Sequence, residues 1–147
     1  MTNISAGKWV FDSHLFVYSQ DIKSPFYKVT SHLFSRVLSG EIEIVCAQQN
    51  IIETENVLIR FYQKDSSKIV NILEDILLNY NIDVITPDPK TYEHYHDLII
   101  KSKQPYDLYD YFLAATMLDN GIDRILTGNT KDFTQIPGIE AVNPFKA

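Results

Sequence analysis

The chain has 147 residues, of which 45% are hydrophobic and 22% charged, and carries a net charge of −6. That is one domain's worth of sequence with enough apolar residues to bury a core. No apolar run reaches the roughly 20 residues of a membrane-spanning helix, and the acidic balance argues against a broad phosphate-gripping surface. A nucleic-acid enzyme stays possible, because a bound cation supplies local positive charge that the surface lacks. Met1 to Lys8 contains no long apolar stretch ahead of a cleavage site, so no signal peptide is expected. The single cysteine, Cys46, lies in the apolar stretch Ile42 to Ala47 and is expected to be a buried, inert hydrophobe in a reducing, cytoplasmic setting.

In chain order, Lys8 to Phe16 reads as a central strand that ends near Asp12. Pro25 to Leu38 places Phe26, Val29, Leu33, Phe34 and Val37 at helical spacing, with Gly40 as the stop. Glu41 to Cys46 alternates and then turns apolar, which suits a second strand. Asn50 to Phe61 reads as a helix, and a further helix carrying Ile69, Ile72, Leu73, Ile76 and Leu77 is capped by Ser66. Ile82 to Ile85 is a short strand, closed by Thr86-Pro87-Asp88-Pro89, which blocks helix until Lys90. Tyr92 to Lys101 and Tyr106 to Asn120 follow as helices, the second ended by Gly121. Arg124 to Thr127 and Ile139 to Val142 are the last strands. There is no repeat and no linker, so residues 1–147 form one α/β domain with a mainly parallel sheet and right-handed crossovers.

Several acids stand at the ends of apolar segments. Asp12 interrupts a buried run, where an unpaired charge is costly, so a metal or a hydrogen-bond donor is expected beside it. Asp107 and Asp110 fall in the first turn of one helix. Asp107 suits the plain N-terminal role, and Asp110 leads into the small-residue run Leu113-Ala114-Ala115 as the site candidate. Glu53 and Glu55 are two apart on a helix and face different ways, so only one can reach a shared site. Asn129 and Asp132 are ordinary loop residues made interesting by the strand before them. His94 and His96, also two apart, cannot ligate one metal as an i, i+4 pair would, and read as a surface helix; His14 alone lies near the acids, and His32 reads as interfacial or exposed. Phosphate-loop, dinucleotide-glycine and nucleophile-elbow motifs are missing from the sequence.

Taken together, four segments resemble a PIN-domain protein of the VapC-like toxin ribonuclease kind, and the resemblance covers nearly the whole chain. They are Asp12-Ser13-His14-Leu15-Phe16-Val17-Tyr18, Glu53-Thr54-Glu55-Asn56-Val57-Leu58-Ile59-Arg60, Asp110-Tyr111-Phe112-Leu113-Ala114-Ala115-Thr116, and Thr127-Gly128-Asn129-Thr130-Lys131-Asp132-Phe133, with Ile136-Pro137-Gly138-Ile139 and Asn143-Pro144 behind them. The resemblance implies a three-layer α/β/α fold. It implies Asp12, Glu53 and Asp110 as ligands of Mg²⁺ or Mn²⁺, with Asp132 as a fourth catalytic acid and Ser13 and Asn129 in support. It selects Glu53 over Glu55. His14 stands where the family usually has Asn, and Asn129 where many members have an acid, so the fourth position is open between Asn129 and Asp132.

The implied activity is hydrolysis of RNA phosphodiester bonds by a metal-dependent endoribonuclease, the toxin of a toxin–antitoxin pair. The implied partners are an RNA substrate, a cognate antitoxin and a second copy in a homodimer. The acidic character suits a basic inhibitory tail, and Phe26 to Val37 with Ile51 to Phe61 are candidates for the groove that takes its apolar face. The rival reading is a PIN-like RNA-binding or assembly module with a weakened site. A haloacid-dehalogenase-like phosphatase would want an acid where His14 stands, and a receiver domain would want paired acids and a late lysine that the chain does not offer.

Overall fold

The computed structural model describes residues 4–103, 105 and 107–146. Tyr106, where the sequence starts the last long helix, and Met1 to Asn3 of the N-terminal segment lie outside the described residues. Five strands run in one sheet: β1 (Gly7–Phe11), β2 (Ile42–Ala47), β3 (Asp83–Ile85), β4 (Arg124–Leu126) and β5 (Glu140–Val142). Their order is β3-β2-β1-β4-β5, and every neighbouring pair is parallel. The helices are α1 (Ser13–Ser19), α2 (Tyr27–Leu38), α3 (Gln48–Asn56), α4 (Ser66–Asn79), α5 (Thr91–Lys101) and α6 (Leu108–Asp119).

The period-2 geometry of the strands divides the core into two layers. From β1 and β2, Trp9, Phe11, Ile42, Ile44 and Cys46 go to one face, where they meet Leu15 and Phe16 of α1 and Leu33 and Phe34 of α2. Val10, Val45 and Ala47 go to the other, against Leu98 of α5 and Tyr111, Leu113, Ala114 and Ala115 of α6. Alanines on α6 let that helix approach the sheet closely. The result is the three-layer α/β/α arrangement, with β1 in the centre and the chain switching sides of it between β3 and β4.

Three local expectations are corrected. The strand expected over Lys8 to Phe16 ends at Phe11, and Leu15, Phe16 and Val17 belong to α1. Asp12 starts that helix as its N-cap, so the apolar residues beyond it continue the core through a different geometry. The helix expected over Asn50 to Phe61 begins two residues earlier, and its end, Val57–Phe61, widens into a π-helical turn. The cap of α4 is Asp65, whose carboxylate accepts from the Lys68 amide at 3.1 Å, in place of Ser66. Gly40 and Gly121 both adopt positive φ at the helix ends they were expected to close.

One glycine is held by its surroundings as well. Gly7 has φ +110, and a Cβ there would lie 2.5 Å from Arg124 Nη2. That guanidinium is fixed on several sides: it donates to Ser5 Oγ at 2.8 Å and to the Ala6 carbonyl at 3.2 Å, and it sits 4.4 Å from the Trp9 ring centroid. Gly7→Ala is therefore expected to destabilise the fold by about 1–2 kcal/mol, the cost of forcing an L-residue into this backbone region. Thermal melting checks it: an unchanged midpoint would mean that the strand start relaxes freely.

Candidate active site

β1 delivers Asp12 to the carboxyl end of the central strand, where crevices form in open parallel sheets. The residue is buried, yet each carboxylate oxygen has a partner. Oδ1 accepts from the Ser13 amide at 2.8 Å and from Asn50 Nδ2 at 3.3 Å. Oδ2 accepts from Thr127 Oγ1 at 2.6 Å, and the Asp12 amide donates to the Leu126 carbonyl at 3.0 Å. The donors come from α1, α3 and the end of β4, so this carboxylate ties both halves of the sheet together. The cost of its burial is met by hydrogen bonds, and no salt bridge to it forms among the described residues.

Glu53 reaches the same place through Ser13. Ser13 Oγ donates to Glu53 Oε2 at 3.2 Å, and Gln49 Nε2 donates to Oε1 at 3.0 Å. The same Gln49 nitrogen donates to the Tyr109 carbonyl at 3.2 Å, which links α3 to the first turn of α6. Glu55 makes none of these bonds.

Asp107 caps α6 by accepting from the Tyr109 amide at 2.9 Å, the plain role expected of it. Asp110 is half-buried one residue beyond Tyr109. Its burial, a hydrogen bond with Asp132, and the charges of Asp107, Asp12 and Asp132 push its carboxyl up to about 8. The shift marks Asp110 as a carboxyl crowded by other acids, with Asp132 beside it. Asp132 closes the short 3₁₀ turn Thr130–Asp132 after β4.

Asn129 is exposed on the loop. Its backbone N–H donates to Thr127 Oγ1 at 3.1 Å, and its Nδ2 lies 3.2 Å from His14 Nε2. His94 is fastened far away, 2.8 Å from Asp119 Oδ1; His32 and His96 are exposed, and the Cys46 thiol is buried and pushed up to about 12 by desolvation. Among the described residues, no three Asp, Glu, His or Cys side chains are grouped closely enough to hold one ion together. The carboxylates form two linked pairs instead: Asp12 with Glu53 through Ser13, and Asp110 with Asp132.

The sheet and helices that carry these two pairs of acids have a family match. The PIN-domain family model aligns with residues 10–139, from β1 to the edge of β5. The chain belongs to the PIN-domain family. No curated protein sequence matches it. Solved structures do, at identities that speak for the fold alone. VapBC2 of Rickettsia felis, bound to a DNA fragment from its promoter, superposes with a TM-score of 0.68 at 16% identity, covering 92% of this chain and 98% of that one. FitAcB of Neisseria gonorrhoeae gives 0.67 at 17%, covering 94% and 99%. The sarcin–ricin-loop-cleaving toxin VapC20 of Mycobacterium tuberculosis gives 0.63 at 13%, covering 85% and 94%.

The donor set of this PIN domain suits a hard divalent cation. Its oxygens are carboxylates and amides, the ligand class of Mg²⁺ and Mn²⁺. Asn50 adds an observation independent of the family: it is fully buried, and its Oδ1 has no hydrogen-bond partner although Nδ2 is bonded to Asp12. An orphaned hard acceptor beside an under-neutralised acid cluster is what a cation or its water shell would satisfy. Asn50, Gln49 and the hydroxyl of Thr127 are the contributors that sequence reasoning missed. Asn50 stands three residues before Glu53, on the same side of α3, and that spacing was the available signal.

Proposed function

We propose that the chain is a Mg²⁺- or Mn²⁺-dependent endoribonuclease acting as the toxin of a toxin–antitoxin pair. The observation that carries this reading is the placement of two carboxylate pairs, Asp12 with Glu53 through Ser13 and Asp110 beside Asp132, near the carboxyl end of the parallel sheet, where burial and the surrounding acids push the Asp110 carboxyl up. Asp12, Glu53 and Asp110 would hold the ion, and Asp132 serves as the fourth acid. When bound, the ion supplies positive charge to the scissile phosphate and acidity to water.

The protein's own groups set the stage for that chemistry. Ser13 orients Glu53, and Thr127 with Asn50 fixes Asp12 so that its carboxylate cannot swing away. Asp132, on the turn after β4 beside Asp110, would take the proton from an attacking water. Water adds to phosphorus and one P–O ester bond breaks, leaving a phosphomonoester and a free hydroxyl.

The structural neighbours support the partner assignment, since they include a toxin–antitoxin complex from Klebsiella pneumoniae. Here Ile52 and Phe61 stay exposed at 61% and 78%, whereas Leu33 and Phe34 of α2 are spent on the core. The apolar contact for an antitoxin helix is therefore assigned to α3 and its π-turn, and its basic tail to the acids. A cytoplasmic homodimer completes the reading. No helix among the described residues is long and apolar enough to cross a membrane.

The test is RNA cleavage by the purified chain with Mg²⁺ or Mn²⁺, with and without excess chelator. Cleavage that stops on chelation is expected. Cleavage that continues sinks the mechanism. RNA binding without any metal-dependent cleavage would favour the binding-module reading, for which the lack of a preformed three-acid group is the specific argument.

A further inference from the structure

Beside the acids, a recess of about 350 Å³ opens between α1, the loop after β4 and the C-terminal segment. Three half-buried rings line it: Phe26 and Phe145 have centroids 4.6 Å apart, Tyr18 and Phe26 5.0 Å, and Tyr18 and Phe145 5.6 Å. Its polar rim carries His14 and Asn129, the hydrogen-bonded pair that also borders the acids. Asn143 fastens the far side, donating from Nδ2 to the Gly128 carbonyl at 3.3 Å and accepting the Phe145 amide on Oδ1 at 2.8 Å.

We propose that this recess receives one unstacked nucleobase of the RNA strand, next to the phosphate held at the acids. The inference rests on the ribonuclease reading and names where its substrate is gripped. Four observations converge on a base. The volume lies at the lower end of small-ligand pockets. Half-buried aromatic rings are a stacking platform for any base, and the His14–Asn129 edge offers polar groups within the same opening. Lys146 also lines the opening and brings a positive charge that suits the phosphates flanking a base. Gly128 keeps the space open, because a Cβ there would already touch the Phe145 ring at 3.7 Å.

The test uses uncharged probes on the full chain in chelator, so that it is independent of cleavage. Adenosine, cytidine, guanosine, uridine and ribose are titrated, and amide and ligand NMR signals are followed. At least one nucleoside is expected to bind about 5- to 150-fold more tightly than ribose, the range that stacking one base corresponds to. Shifts should centre on His14, Tyr18 and Phe145. Gly128→Val, which fills the recess without removing a ring, and Phe145→Leu should each erase the preference while the remaining spectrum stays native. Equal affinity for ribose and every nucleoside overturns the proposal. So does a preference that survives in both variants, or a recess that responds only to a co-expressed protein partner. Base binding without metal-dependent RNA cleavage would sink the ribonuclease reading and leave the recess standing; cleavage without base binding would do the reverse.

Discussion

Asp12→Asn is expected to lower RNA cleavage by roughly 10³-fold or more, the scale of losing several kcal/mol of charge stabilisation, while the fold survives. The hydrogen bonds explain why both halves hold. An asparagine Oδ1 keeps the Ser13 amide and Asn50 as donors, and its Nδ2 donates to Thr127 Oγ1, whose two lone pairs then accept from it and from the Asn129 amide. Charge is lost without shape. Asp12→Ala is a poorer probe, since it removes the cap of α1 and takes away the acceptor of the Thr127 hydroxyl proton in a buried site, costing about 2–4 kcal/mol. Cleavage rates beside thermal melts separate the two variants. An Asp12→Asn protein that cleaves like the wild type would remove Asp12 from the chemistry.

The second large effect is on stability, and its sign runs against intuition. The Asp110 carboxyl sits at about 8 in the fold, against 3.8 when unperturbed. Below about pH 4 both states are protonated and nothing is lost. Between about pH 4 and 8 the unfolded chain gives up this proton and the native one keeps it, so stability falls as pH rises through that window. In chelator, Asp110→Asn should flatten the decline and raise stability near neutrality by about 1–2 kcal/mol, after discounting the part of the group in contact with solvent. For a domain of this size that is a rise of about 3–8 °C in Tm, in a protein expected to be inactive. Mn²⁺ should raise the wild-type Tm, more at pH 8 than at pH 6, because binding must displace the proton. A wild-type Tm independent of pH across the window would refute this account of Asp110.

The alternation of strands and helices was legible because each segment announces its own end. Gly40 and Gly121 close helices, and Pro87 and Pro89 hold one off until Thr91. Less legible was the passage through Asp12. Apolar residues on both sides of it fit a long strand as well as a strand followed by a helix, and only the capping geometry of Asp12 decides between them. The π-turn at Val57–Phe61 left no trace, since one extra residue per turn changes no residue type. At the site, motif order brought Asp12, Glu53, Asp110 and Asp132 to attention, but their partners were hidden. Thr127 and Asn50 meet Asp12 across 115 and 38 residues of chain, and nothing local marks a hydroxyl or an amide as the donor a distant acid will choose.

The strand order carries a consequence for how such a protein is made. β1 is the first strand out of the ribosome, yet it stays an open edge on one side until Arg124–Leu126 arrives to pair with Val10 and Phe11. Thr127, Asn129 and Asp132 emerge later still. A nascent chain thus carries every residue of Asp12, Glu53 and Asp110 for some time before it carries the segment that locks them in register. The four acids are therefore brought together only after residues 124–132 have been made, later than any other strand or helix that carries one of them.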